Sequence, residues 1–372
     1  MILGVTAEQD ELRASVRRFL ADRMPIAAVR ELMETTDGLD ADVWRQAGEQ
    51  LGLQGIAIPE EYGGAGFSFA EQAIVLEELG AALYGGPYLA SAVLAATALL
   101  ASPDSGARKK YLPGIATGET IATLAFTEED GSWEPDAVRL AGTSDGDGWR
   151  LDGRKSFVLD GHTAHLVLVV ARTGDGELSL FAVPADAPGL TRAALPTLDQ
   201  TRNLARLDFA AVPATLIGSP GDGAAVLDHT LDVAAIAQAA EQLGGAQRAL
   251  DMAVGYAKVR HQFGRPIGSF QAIKHRCADL LVEVESLRSA VQYAAAAVAA
   301  DSAEVPVVAA LVKSYASDVY FHVAAENIQL HGGIGFTWEH DAHLYFQRAK
   351  ASELFLGDAS YHREHLAARI GL

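Results

Sequence analysis

The chain has 372 residues, 49% hydrophobic and 21% charged, the balance of an ordinary water-soluble protein with room for several domains. Its 29 Lys and Arg stand against 48 Asp and Glu, and the resulting net charge of −19 argues against nucleic acid or an anionic membrane surface as a partner. A single cysteine, Cys277, excludes an intrachain disulfide and a cysteine-cluster metal site, fits a reducing cytoplasm, and reads as a small core residue of a helix.

The first block, residues 1–120, reads as a helical domain. Met1 to Leu20 carries Glu8, Asp10, Glu11, Arg13, Arg17 and Arg18, an amphipathic helix and not a signal peptide. Thr6 is a fitting N-cap, Gln9 completes a capping box, and Leu12, Val16, Phe19 and Leu20 follow at helical spacing. A second helix is predicted over 41–51. The loop Ile58-Pro59-Glu60-Glu61-Tyr62-Gly63-Gly64-Ala65-Gly66 follows, then helices over 68–80, 88–100 and 105–115, broken by Gly-Gly-Pro and Ser-Pro.

The second block, 121–223, turns to β-branched residues and Gly/Asp turns. Strands are predicted over 121–127, 149–159, 165–171, 178–183 and 205–209. Ser144 to Gly148 and Asp160-Gly161 carry hairpin chemistry, and the close spacing points to an antiparallel sheet or barrel. The third block, 224–372, is helical over 224–259, 270–300, 305–330, 342–350 and 360–370. Helices this long lie antiparallel in a bundle. The fold class is therefore α+β: an N-terminal helical domain, a middle antiparallel β domain and a C-terminal four-helix bundle. No run is long and apolar enough to span a bilayer; the Ala-rich stretch from Val291 ends at Asp301.

Four motifs stand in order along these blocks. Tyr256 to Gln271 contains Arg260-His261-Gln262-Phe263-Gly264 and ends Ile267-Gly268-Ser269-Phe270-Gln271. Gln329-Leu330-His331-Gly332-Gly333-Ile334-Gly335-Phe336 is the second, Ala125-Phe126-Thr127-Glu128-Glu129-Asp130-Gly131-Ser132 the third, and the 58–66 loop the fourth. Together they resemble the acyl-CoA dehydrogenase family over almost the whole chain. The third motif is one residue shorter than usual.

The resemblance implies FAD (flavin adenine dinucleotide) as cofactor. Arg260, a fixed cation with a planar donor fork, suits pyrophosphate, and in the family it reaches the FAD of the neighbouring subunit. Gln262, Phe263 and Gln271 accompany it on the adenosine half. An Arg that merely caps a helix C-terminus is the competing reading. Gln329 with Gly332 and Gly333 resembles a second clamp, where absent side chains let N–H groups approach a phosphate; a glycine C-cap reads equally well and the two are compatible. The resemblance sets Phe126 and Thr127 against the flavin, Ser132 on the FAD or CoA phosphate path, and Phe157 as the aromatic on the N5 side. Leu159 occupies a position usually held by Thr, so a contact there falls to the backbone. Asp232 is implied at the pantetheine arm. His331, His340 and His343 lack the pattern of a metal site and read as surface or core histidines.

The family reaction is α,β-desaturation of an acyl-CoA thioester, in which a carboxylate removes the α-proton. The segment that carries this base in most members is here Leu354-Phe355-Leu356-Gly357-Asp358, with Leu356 at the Glu position. The alternative position, on the first long helix, holds Ala234, and Ala235 follows where an Arg is common. Two readings stand for Glu241, seven residues beyond Ala234 on nearly the same face: a base, or a packed Glu bonded to Gln242 or an Arg. Asp358, displaced by two residues from the family position, is a second candidate base, and reads better as the N-cap of the next helix. Three functions follow. One is an acyl-CoA dehydrogenase with Glu241 as base, passing electrons to an electron-transfer flavoprotein. The second is a non-catalytic or half-site subunit of a heteromeric enzyme. The third is a flavin monooxygenase or oxidase on the same fold. Cross-subunit flavin contacts imply a homodimer or homotetramer, or a heterotetramer with a related subunit.

Overall fold

The structure, a computed structural model, describes residues 6–146, 148–174 and 176–372. Helices α1 (Ala7–Arg23), α2 (Ile26–Met33), α3 (Ala41–Leu51) and α4 (Phe69–Ala81) come first. A π-helical stretch, Leu89–Ala95, runs into α5 (Ala96–Ala101), and α6 is Ser105–Thr117. Seven strands follow: β1 (Ala122–Ala125), β2 (Ala141–Asp145), β3 (Gly148–Leu159), β4 (Leu166–Thr173), β5 (Glu177–Pro184), β6 (Leu190–Leu195) and β7 (Leu204–Ile217). The rest is α7 (Gly223–Val259), the short strands β8 (His261–Gln262) and β9 (Arg265–Pro266), α8 (Gln271–Ala299), α9 (Val305–His331), α10 (Ala342–Leu354) and α11 (Ala359–Arg369).

Thr6 caps α1 with the expected reciprocal pair to Gln9. Five of these elements escaped the sequence: α2, only eight residues long, the two-residue strands β8 and β9, and the strands β2 and β6, which bury little. An exposed strand carries no hydrophobic alternation to read.

The chain packs into two compact units. One holds Glu31–Ser68 and Gly85–Ala234. Its seven-stranded sheet is mixed and not wholly antiparallel: β1 and β2 pair with β4 in parallel, while β3–β7, β4–β5, β5–β7 and β6–β7 are antiparallel. Sequence spacing cannot reveal this, because β4 pairs with strands distant along the chain. Asp160-Gly161 consequently makes no hairpin, since β3 and β4 are not neighbours. The turn between β2 and β3 does make one, pairing Asp145 with Gly148; its Asp147 lies outside the described residues. Six consecutive residues of β4, Leu166 to Ala171, are buried, as befits a strand covered on both faces.

The other unit holds the chain up to Arg30, Phe69–Tyr84 and Ala235–Leu372. Here α4 crosses α7 at glycines on both helices. A Cβ on Gly80 would lie 2.0 Å from the Glu241 carbonyl oxygen, and one on Gly244 would lie 1.8 Å from that of Glu77. On the far side, a Cβ on Gly245 would meet the Tyr320 ring of α9 at 2.4 Å. Charges then bind the helices: Arg13 holds Glu77 at 2.8 Å and Glu78 at 3.0 Å, Arg17 holds Glu78 at 2.7 Å, and Arg288 of α8 reaches Glu77.

Gly244→Ala should therefore cost about 1–3 kcal/mol, as overpacking of a close contact does. Urea unfolding measures it, and an unchanged midpoint would show that the helices can part freely.

Candidate active-site residues

Within the sheet unit, the segment after β1 is fastened by a buried ion pair. Lys155 of β3 is fully buried, and its Nζ donates to the Phe126 carbonyl at 2.9 Å and to Glu128 Oε1 at 2.8 Å. Burial drives the Lys155 pKa down to about 8, against the pull of Glu128. Burial alone would raise the Glu128 carboxyl; Lys155 and the N–H groups of Arg139 and Leu140, each at 2.8 Å, outweigh it and hold the carboxyl low. The pair thus ties both ends of the 128–140 loop to β3. The Glu in the motif gave half of this signal, but nothing in the sequence marked Lys155 as its partner.

On this frame Thr127 is buried, donating its hydroxyl to the Ser156 carbonyl at 2.6 Å and accepting the Ser156 N–H at 3.0 Å. Phe126 is buried, its ring 5.9 Å from that of Trp133. Ser132 is half-buried; its N–H donates to Asp130 Oδ1 at 3.1 Å and its Oγ accepts from Glu134 N–H at 3.3 Å. Phe157 has a left-handed backbone, φ +58°, and presents its ring 37% exposed beside Gly131. A bulky residue in that region is a strained exception and points to function. Leu159 sits deeper in the sheet. It is buried, its backbone belongs to the β3–β7 ladder, and its carbonyl accepts the Thr123 hydroxyl. Asp232, on α7, is buried at the edge of that class, 9% exposed.

The helical unit carries the second group. Arg260 follows α7, is exposed, and its side chain has no hydrogen bond or ion pair among the described residues. Gln262 and Arg265 face each other across a two-residue turn, Phe263 at φ +53° and Gly264 at φ +78°, the signs of a type I′ hairpin. Phe263 is 92% exposed, with its ring edge-on to Phe270 at 6.1 Å, and the Arg265 guanidinium lies 4.0 Å over Phe270. Gln271 opens α8, exposed, its amide 3.0 Å from His275 Nε2. Gln329 is exposed near the end of α9, which stops at Gly332, φ +65°. Beyond their own chain neighbours, no atom of the described residues lies within 4 Å of where a Cβ would stand on Gly332 or Gly333. Open glycine backbone, an uncommitted guanidinium and a bare aromatic suit an anionic, planar ligand. His331 stacks between Tyr256 and His340, at 4.3 Å from each ring, and burial lowers its pKa. Cys277 is half-buried on α8, less enclosed than a core residue, and burial raises its thiol.

Glu241 is paired with an arginine. It is buried, and its Oε1 accepts Arg348 Nη1 at 2.6 Å, with Arg348 itself 2% exposed. The ion pair gives Glu241 a reason to be buried other than base chemistry. The sequence left the Arg reading open but gave no sign that Arg348, 107 residues away, was the partner.

The turn after α10 has a leucine in place of a carboxylate. Leu356 is buried, at φ +62°, and Gly357 follows at φ +96°. Leu356 N–H donates to nothing among the described residues, a rare state for a buried amide. Asp358 caps α11 through Tyr361 N–H at 2.8 Å, as expected. His362 donates from Nε2 to the Leu356 carbonyl at 2.8 Å; burial, then the charge of Lys313, pushes its pKa down to about 3.

A sheet domain, long bundled helices, an Arg-Phe-Gly hairpin and an open Gly-Gly helix end define an oxidoreductase of the acyl-CoA dehydrogenase fold. The chain belongs to the acyl-CoA dehydrogenase family: its residues 6–119, 123–211 and 221–371 match the N-terminal, middle and C-terminal domains. It is 40% identical to acyl-CoA dehydrogenase IpdE2 of Mycobacterium tuberculosis, over 94% of this chain and 93% of that protein. Among solved structures it resembles the ChsE4-ChsE5 complex from Mycobacterium tuberculosis, with TM-score 0.91 and 31% identity over 100% of this chain and 99% of that one. It also resembles a variant of the Tcur3481-Tcur3483 steroid ACAD, with TM-score 0.89 and 33% identity over 99% of both chains. No helix among the described residues is long and apolar enough to cross a membrane.

Two outcomes are expected. Glu241→Gln should lower unfolding free energy by about 3–5 kcal/mol, and replacing Glu241 and Arg348 together by Leu and Met should recover most of that; a loss in the double variant equal to the sum of the two single losses would mean the two groups act separately. Unfolded His titrates near 6.5, so between that pH and about 3 the unfolded chain takes up a proton that folded His362 refuses. This group's penalty is absent above pH 6.5 and grows as pH falls. Stability measured in urea should decline over that window, less steeply in His362→Gln; identical slopes would assign the acid loss to other groups.

Proposed function

We propose that the chain is an FAD-binding subunit that carries out α,β-dehydrogenation of an acyl-CoA together with a related subunit, which supplies the base. One observation carries the reading: the turn where the family keeps its carboxylate presents Leu356 with a bare N–H, while Glu241 is committed to Arg348. The donor that can polarise a thioester carbonyl is retained, and the group that would take the α-proton is lost. The two related structures that bear paired names, ChsE4-ChsE5 and Tcur3481-Tcur3483, support an assembly of unlike subunits, and the second points to a steroid-derived acyl group.

In this reading Phe126, Thr127, Ser132 and Phe157 hold the flavin from the sheet unit. Arg260, Gln262, Phe263, Gln271, Gln329, Gly332 and Gly333 reach the FAD of a neighbouring subunit, and Asp232 meets the pantetheine arm. The chemistry FAD supplies when bound is acceptance of the β-hydride, and an electron-transfer flavoprotein is the acceptor that the family resemblance implies. Leu356 N–H steadies the enolate-like charge on the thioester oxygen, and a carboxylate of the partner removes the α-proton.

The test uses the purified chain with FAD, without oxygen, and a set of CoA thioesters from butyryl to a steroid side-chain acid. The chain alone should be yellow and should not bleach. Leu356→Glu should gain bleaching by on the order of a hundredfold or more, the scale of general-base catalysis. Bleaching by the unaltered chain alone would sink the half-site reading, and a colourless chain that takes up no FAD would sink the flavin reading.

A further inference from the structure

Lys313, in the middle of α9, has no exposed surface. Its ammonium donates to the carbonyls of Ser352 at 3.0 Å, Glu353 at 3.3 Å and Gly357 at 3.1 Å, and to Ser317 Oγ at 3.0 Å. Ser352 and Glu353 belong to the last turn of α10, whose carbonyls have no intrahelical donor. A cation also complements the negative end of that helix. Burying an ammonium is costly, and a helix end can be closed by glycine or water without it. The use of a buried Lys here therefore calls for a further reason.

The reason lies in the turn it grips. Leu356 adopts φ +62° and Gly357 φ +96°, and a Cβ on Gly357 would stand 2.2 Å from the Tyr361 ring. Such a backbone persists only when its surroundings over-determine it. The carbonyls of the turn are both taken, Leu356 O by His362 and Gly357 O by Lys313, and the N–H of Leu356 alone is left without a partner among the described residues. Ser317 Oγ also accepts Gln242 Nε2 at 3.3 Å, which extends the hold from α9 to α7.

We infer that Lys313 is a positioning residue: it fixes the α10–α11 turn in its left-handed form and so keeps Leu356 N–H available to the carbonyl of a bound CoA thioester. The inference rests on the proposed function for its ligand, though not for the turn itself. Lys313→Met removes the charge and keeps the apolar stem. In the FAD-loaded protein, its affinity for acetoacetyl-CoA should fall by on the order of tenfold, the worth of one well-placed hydrogen bond, while affinity for CoA, which has no such carbonyl, and flavin content stay unchanged. Amide hydrogen exchange should rise across 354–358 and not in the centre of α9. Parallel loss of both ligands would make Lys313 merely structural, and unaltered exchange in the turn would show that something else holds it; either result overturns the inference. If the unaltered protein binds neither ligand, the proposed function falls, and the exchange measurement alone decides whether Lys313 sets the turn. Should Lys313→Met fail to fold, Lys313→Gln, uncharged but still a donor, is read by the same two measurements.

Discussion

The backbone contact between α4 and α7 governs the helical unit. With glycine at 80 and 244, carbonyl oxygens of each helix stand where side chains would otherwise be. Two helices so close exclude water between them, and acids beside the seam must find cations or be left buried alone. Glu77 and Glu78 take Arg13, Arg17 and Arg288, and Glu241 takes Arg348. Glu241, whose sequence setting among Ala and Gly resembled that of a desolvated base, is desolvated for this packing reason. Small neighbours mean a near helix as readily as a cavity.

In the sheet unit the same logic runs through one pair. Lys155 and Glu128 cost desolvation energy together and recover it through contacts to the Phe126 carbonyl and to two N–H groups eleven and twelve residues downstream of Glu128. The gain is geometric. The loop bearing Ser132 is closed at both ends onto β3, the strand that also carries Phe157. A loop so fastened can present polar groups to a ligand without first being ordered by it.

What was legible in the sequence follows from which forces are local. Long helices were found to within a residue or two because their periodicity and caps are local: Thr6 with Gln9 and Asp358 with Tyr361 act over three residues. The parallel pairing of β1 with β4, the Lys155–Glu128 pair and the Arg348–Glu241 pair are decided by tertiary approach and leave no local mark. The exposed strands β2 and β6 failed for the opposite reason, having little apolar content to betray them. The motif residues divide similarly. Arg260, Phe263 and Gly332 stand exposed, whereas Leu159 is buried in the sheet.

The turn after α10 separates two properties that usually travel together. Leu356 cannot exchange a proton, yet the backbone around it keeps a left-handed residue, a glycine that tolerates no side chain, a buried ammonium and a buried neutral imidazole. The Asp358 cap serves the start of α11 and Lys313 the end of α10, and neither task calls for the left-handed residue. A turn retained only for packing would relax toward ordinary φ values, since strain of this kind costs about 1–3 kcal/mol per residue. In the function proposed above, what this turn preserves is its backbone conformation. There the Leu356 N–H is the group this chain contributes, and the proton acceptor is the group assigned to another subunit.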